Sequence, residues 1–151
     1  MEVGQTEKRR AVCFDIKVAW LSIARMYNVE AVKEDITTNI GFVLLHIDDE
    51  GTPATKIAPL MGMETRSLTR MLARLEEMGL IYRQKDPNDG RMVRIFLTEE
   101  GQKKKAYSKD VVIHFNKLLY NNISEEELVS FFKVLDTIHE FINNKQQHAV
   151  S

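Results

Sequence analysis

Between Thr65 and Leu97 the hydrophobic period of the chain changes twice, and that double change restricts the fold more than any other feature. Leu68, Met71, Leu72, Leu75 and Met78 recur at the three-and-four spacing of an amphipathic helix, and Gly79 follows where a C-terminal stop belongs. The opposite face carries Thr65, Arg66, Thr69, Arg70, Ala73 and Arg74, so helical geometry separates an apolar stripe from a row of hydroxyls and guanidiniums. An element that packs on a core while reaching into a DNA groove needs that division; an ordinary surface helix with a solvated arginine face also has it. The period then shortens. Leu80 to Gln84 and Val93 to Leu97 are two short runs suited to strands, the second rich in β-formers.

Lys85-Asp86-Pro87-Asn88-Asp89-Gly90-Arg91 lies between those runs. Proline fixes one backbone angle, and asparagine, aspartate and glycine tolerate positive φ, so the runs are expected to fold back as a hairpin with a projecting basic loop. A short helix upstream, Ala54 to Met61, with Gly62 making the turn, completes a helix-turn-helix followed by a wing. Thr52-Pro53 reads as the N-cap and first position of that short helix. Pro59 removes an amide donor and is expected to kink the helix or end it near Ala58.

The run RMLARLEEMGLIYRQKDPNDGRMVRIFLTEEG resembles the MarR family of bacterial transcriptional regulators. The resemblance rests on Arg74-Leu75-Glu76, Gly79-Leu80, the wing pair Asp89 and Arg91, and Leu97-Thr98 with Gly101. It extends more loosely over the helical order of nearly the whole chain. The implied fold is a single domain, mainly α with a small β-hairpin wing: a winged helix-turn-helix at about 52–97 between dimerisation helices at about 8–30 and 99–144. The implied function is sequence-specific binding of double-stranded DNA by a homodimer, as an effector-responsive repressor on a pseudo-palindromic operator. A winged-helix module that binds partner proteins is the alternative from another class.

Within the first helix, about Lys8 to Glu30, Val12, Ile16, Ala19, Trp20, Ile23 and Tyr27 share one side. Ile40, Val43, Leu44 and Ile47 mark a second helix, with Asp48-Asp49-Glu50-Gly51 as loop. Thr98 reads as the N-cap of a long helix to about Leu119, broken at Asn121-Asn122, and Ser124-Glu125-Glu126-Glu127 as a capping box opening the last helix. That helix carries Leu128, Phe131, Phe132, Leu135, Ile138, Phe141 and Ile142, a stripe broader than a small lobe covers, which favours burial against a second copy.

Net charge is −1, so the chain is no generic nucleic-acid coat, but its distribution is uneven. From Ala54 to Arg94 eight basic residues face five acidic ones, leaving a +3 segment where the motif would meet phosphates. The candidate DNA contacts are Thr65, Arg66, Ser67, Thr69, Arg70 and Arg74 on the helix and Lys85, Asp89 and Arg91 in the wing. Arginine can pair bidentately with guanine, whereas hydroxyls serve bases or phosphates. Glu64 suits the helix start but repels phosphate. Arg91 is the expected minor-groove or phosphate contact; Asp89 is expected to orient it and hold the turn, and a loop salt bridge without a DNA role is the alternative for the pair.

Trp20, Tyr27, Phe42 and His46 fall on the first two helices, where the resemblance implies a cleft for a small effector; plain core or dimer interface is the competing assignment. Cys13, the single cysteine, resembles the reactive cysteine of the family's peroxide-sensing branch, and free cysteine is equally a small buried hydrophobe. One cysteine forms no internal disulfide, and the four histidines lack metal-ligand spacing, so no metal or cofactor is expected. No phosphate loop, nucleophile elbow or convergent acid-base pair supports an enzyme. No apolar run approaches the ~20 residues of a membrane span and the start is too polar for a secretion signal, so a cytoplasmic location without membrane contact is expected.

Overall fold

The computed structural model describes residues 11–148, with side chains to residue 145. The polar start and the expected helical residues from Lys8 to Arg10 lie outside the described residues. The elements are α1 (Val12–Val32), α2 (Thr38–Leu45), β1 (Thr52–Pro53), α3 (Ala54–Met61), α4 (Thr65–Glu77), β2 (Ile81–Lys85), β3 (Val93–Leu97), α5 (Glu99–Asn122) and α6 (Glu125–His148). They fall into two compact units, one ending at Val111 and the other beginning at Val112.

The first unit is built on an apolar cluster to which every helix-turn-helix element contributes. Ile40, Val43 and Leu44 of α2, Ile57 and Ala58 of α3, and Leu68, Leu72 and Leu75 of α4 are all buried in it, with Leu80, Ile81, Ile95 and Leu97 from the sheet. The α4 stripe therefore does what its spacing requires: three leucines are buried and Met71 and Met78 pack at the margin. Gly62 caps α3 with φ 59° and Gly79 follows α4 with φ 69°, both in the left-handed region that glycine enters without a Cβ penalty.

Three antiparallel strands make the sheet, in the order β1-β3-β2. β2 and β3 pair with Ile81 opposite Leu97, Tyr82 opposite Phe96, Arg83 opposite Ile95, Gln84 opposite Arg94 and Lys85 opposite Val93. Alternation sends Ile95 and Leu97 into the core, while Tyr82 and Phe96 stack on the other face with centroids 5.4 Å apart. The hairpin expected from the turn residues is present. β2 begins one residue later than the hydrophobic run suggests, because Leu80 is spent on the α4 exit, where its amide bonds to Leu75 O and its carbonyl accepts from Thr98 N–H.

Two expectations about α3 fail. Thr52-Pro53 does not open α3 as N-cap and first helical position; it is strand β1, paired with Ile95 and Arg94, and Pro53 itself occupies the N-cap. The Thr52 hydroxyl turns back instead, accepting from Asp48 N–H at 2.8 Å and donating to His46 O at 3.4 Å. Pro59 does not end α3 near Ala58, since the helix runs on to Met61. Pro59 and Thr55, whose carbonyl loses its usual donor, are both exposed, so water can take the orphaned acceptor.

Thr98 caps α5 as its position suggests: its hydroxyl accepts from Gly101 N–H at 3.0 Å and donates to Gly79 O at 2.6 Å. α5 continues through Asn121-Asn122 rather than breaking there. The Asn122 side-chain amide bonds back to Leu118 O, and the break falls at Ile123 and Ser124. In the second unit the capping box is closed reciprocally, Ser124 N–H donating to Glu127 Oε2 at 2.9 Å and Glu127 N–H to Ser124 Oγ at 3.3 Å. That pairing also holds the Glu127 carboxyl below its ordinary range, the Ser124 hydroxyl bond being the largest cause.

Candidate nucleic-acid interface

The exposed face of α4 consists of Thr65, Arg66, Thr69, Arg70, Ala73 and Arg74, as its spacing predicts; Ser67 is half-buried. Thr69 Oγ1 donates to Thr65 O at 2.9 Å, so one hydroxyl is already turned onto the helix backbone. Glu64 occupies the N-cap without a side-chain capping bond and is exposed. Among the described residues, Arg66, Arg70, Arg74, Lys85 and Arg91 form no ion pair, whereas Arg83 and Arg94 do. Five cationic side chains thus remain available to an anionic partner.

α4 is tied to the hairpin by Arg83, whose Nε donates to Glu76 Oε2 at 3.1 Å. Between α3 and α4 lies an open groove of about 310 Å³, lined mainly by apolar residues together with Thr55, Thr65, Thr69 and Arg83. In the wing, Lys85, Asp89 and Arg91 are exposed. Asp89 holds the turn by accepting from the Arg91 backbone N–H at 3.0 Å; its bond is to the backbone and not to the guanidinium.

The buried carboxylate of the wing is Asp86, which the sequence analysis did not single out. Asp86 Oδ1 accepts from Asn88 N–H at 2.8 Å and Asp89 N–H at 3.2 Å, and Oδ2 accepts from Arg94 Nε. Arg94, with these bonds and a further one to Gly51 O at 3.0 Å, is turned into the subunit. The Arg94 guanidinium, followed by the Asn88 amide, holds the Asp86 carboxyl below the usual carboxylate range. Only the pattern Asp-Pro-Asn-Asp, with an aspartate preceding a proline turn, offered a sequence signal for this role.

The candidate effector residues do come together. Trp20 and Phe42 have centroids 6.0 Å apart, Tyr27 meets Phe42 edge-on at 5.6 Å, and the His46 ring bonds through Nδ1 to Phe42 O at 2.7 Å. Tyr27 is buried while Trp20 is 45% exposed, so the cluster is a packed seam of α1 on α2 with one open edge. The seam is reinforced from α5: Tyr107 donates to Glu30 Oε2 at 2.9 Å, and Lys105 Nζ bonds Ile47 O at 2.6 Å. Cys13 is exposed near the start of α1. No His, Cys, Asp or Glu cluster suited to a metal occurs among the described residues, and no described helix is long and apolar enough to cross a membrane.

A buried-leucine α4 presenting free arginines, a left-handed glycine turn before it and a hairpin after it define a winged helix-turn-helix protein. Residues 41–93 match the model of the MarR family, and this winged helix-turn-helix is a MarR-family domain. Along almost its whole length the chain is similar to the HTH-type transcriptional regulator SarZ of Staphylococcus aureus (strain USA300), 26% identical over 95% of this chain and 94% of that one. It is 28% identical to the HTH-type transcriptional regulator YdgJ of Bacillus subtilis (strain 168) over 68% of this chain, and spans 61% of the length of that relative. Among solved structures it resembles the transcriptional repressor CouR bound to a 23-mer DNA duplex, with TM-score 0.72 and 25% identity over 92% of this chain and 99% of that one.

Proposed function

We propose that the chain is a sequence-specific DNA-binding transcriptional regulator that acts as a homodimer and releases its operator when a small effector binds. The observation that carries this reading is the α4 surface: Arg66, Arg70 and Arg74 are exposed and unpaired among the described residues, on a helix whose other face is locked into the core. Arg66, near the N-terminus of α4, reads base edges with Thr65, Ser67 and Thr69, each good pair worth about 1–3 kcal/mol of discrimination. Arg70 and Arg74 follow one and two turns along. Lys85 and Arg91 in the wing bind phosphate or the neighbouring minor groove, with Asp89 holding their loop.

Dimerisation is supported by apolar surface that each unit leaves uncovered. Phe14, Val18 and Leu21 on α1 and Phe131, Phe132 and Phe141 on α6 are about half exposed or more. Two copies would set recognition helices about 34–36 Å apart on successive major-groove faces, which calls for a roughly palindromic operator. An effector seated at the open edge of Trp20, Tyr27, Phe42 and His46 regulates binding only if it favours a dimer of the wrong spacing. The resemblance to CouR bound to a 23-mer DNA duplex supports the nucleic-acid partner, and that to CouR from Rhodococcus jostii RHA1 bound to p-coumaroyl-CoA supports a small-molecule one.

The test is fluorescence anisotropy or gel shift on the protein's own upstream DNA across a salt series. Arg66→Ala is expected to relax base preference, and Arg91→Ala to weaken all sequences while lowering the salt slope by about 1. Wild-type binding by both variants at every salt concentration would dismiss these contacts. Affinity indifferent to salt would favour a protein-binding winged helix instead.

A further inference from the structure

Asp86 is, with Thr52, one of two buried polar or charged side chains among the described residues, and its carboxylate is a node of the wing. Through Oδ1 it gathers the amides of Asn88 and Asp89; through Oδ2 it grips Arg94, which reaches back across β1 to Gly51 O. The loop is closed again above it, Asp86 N–H donating to Met92 O at 2.8 Å and Met92 N–H to Asp89 O at 2.9 Å. The two cations that flank this closed loop, Lys85 and Arg91, are exposed. Arg94, although it adds to the positive charge of the segment, has committed both Nε and Nη1 to partners within the subunit.

Fixing a residue's backbone costs conformational entropy, so a seven-residue loop ordered only on contact would forfeit most of what a phosphate contact returns. A loop ordered beforehand avoids that loss. We propose that Asp86 and Arg94 are positioning residues for DNA binding: they touch no DNA, and they hold the wing so that Lys85 and Arg91 meet the duplex already in place. This rests on the DNA-binding reading above. Basicity and wing function are thereby separated, since the half-buried Arg94 matters through an acid and the exposed Lys85 and Arg91 through phosphate.

The experiment measures affinity and salt slope by anisotropy on a labelled duplex of the protein's own upstream DNA. It uses wild type, Asp86→Asn, Arg94→Gln, the pair Lys85→Ala with Arg91→Ala, and that pair combined with Asp86→Asn. Asp86→Asn and Arg94→Gln are each expected to lower the slope by about 1, so that their loss of affinity at about 50 mM salt shrinks roughly fourfold by about 200 mM. On the background lacking Lys85 and Arg91 the Asp86→Asn change is expected to add almost nothing, the non-additivity of groups acting as one unit. Equal losses with and without the two cations, or an unchanged slope in both Asp86→Asn and Arg94→Gln, would overturn the proposal. If the Lys85 and Arg91 substitutions themselves leave the slope at its wild-type value, the wing does not bind phosphate and the functional reading fails first. Should Asp86→Asn not fold, Arg94→Gln with amide exchange at Asn88 and Asp89 decides: faster exchange with a lower slope supports the proposal, and wild-type exchange refutes it.

Discussion

Gly101→Ala is expected to destabilise the chain although it places a better helix former in a helix. A Cβ at position 101 would stand 2.0 Å from Leu80 O, 3.0 Å from Leu80 C and 3.3 Å from Leu97 Cδ2. The carbonyl is backbone and cannot rotate away as a flexible side chain would. It is also engaged, accepting from Thr98 N–H at 3.0 Å, and Thr98 in turn caps α5 and binds Gly79 O. Relieving the overlap costs about 1–3 kcal/mol as overpacking, and separating Leu80 from Thr98 leaves a pair unmade for about 1–3 kcal/mol more. Alanine returns about 1 kcal/mol of helix propensity. The net is a loss of about 1–5 kcal/mol, and each kcal/mol should lower Tm by about 2–4 °C in a chain of this size. Urea unfolding followed by circular dichroism, at one fixed protein concentration because association shifts apparent stability, reads the effect directly. Gly90→Ala is the control: nothing lies within 4 Å of the added carbon, so its midpoint should stay within about 1 kcal/mol of wild type. A Gly101→Ala midpoint at or above the wild-type value would refute the steric reasoning.

Leu75→Ala removes a side chain with no exposure from the centre of the α4 stripe and should cost about 2–5 kcal/mol by the same unfolding assay. Gly51→Ala meets two obstacles, φ +82° and the Phe96 ring 2.4 Å from the new carbon; it should destabilise the chain and alter the Tyr82–Phe96 stack, visible in near-ultraviolet circular dichroism. Because the folded Asp86 carboxyl sits below its unfolded value of about 3.9, its contribution is complete above that pH and is lost as pH falls through the folded value. The stability gap between wild type and Asp86→Asn should therefore be widest near neutrality and close in the acid range; a gap independent of pH would contradict the pairing with Arg94. Replacing Phe131 and Phe132, each about half exposed, by serine should leave helicity intact while shifting sedimentation equilibrium toward monomer; an unchanged mass would locate the interface elsewhere.

Features encoded over three or four residues were legible from the amino-acid order. The α4 stripe from Leu68 to Leu75, the Gly62 turn, the Thr98 cap, the Ser124–Glu127 box and the hairpin loop each draw on the helix period, a single backbone torsion or a reciprocal local bond, and these act wherever the rest of the chain lies. The exposed arginines of α4 were legible for the same reason: burying one stripe of a helix presents the other.

Tertiary structure decided what depended on partners remote in sequence. Thr52-Pro53 is a strand only because β3 lies beside it, and two residues carry no period to announce that. Pro59 is tolerated because its turn of α3 is exposed. Arg94 could be counted as a phosphate ligand until its carboxylate and the Gly51 carbonyl were brought against it, and Asp86 could pass for a turn residue until the fold buried it. The glycine at 101 looked like an ordinary helical position, yet the chain leaving α4 places the Leu80 carbonyl where its side chain would be. A local pattern sets which face an element buries; only the packed chain determines which charged groups that burial consumes and which it leaves for a partner.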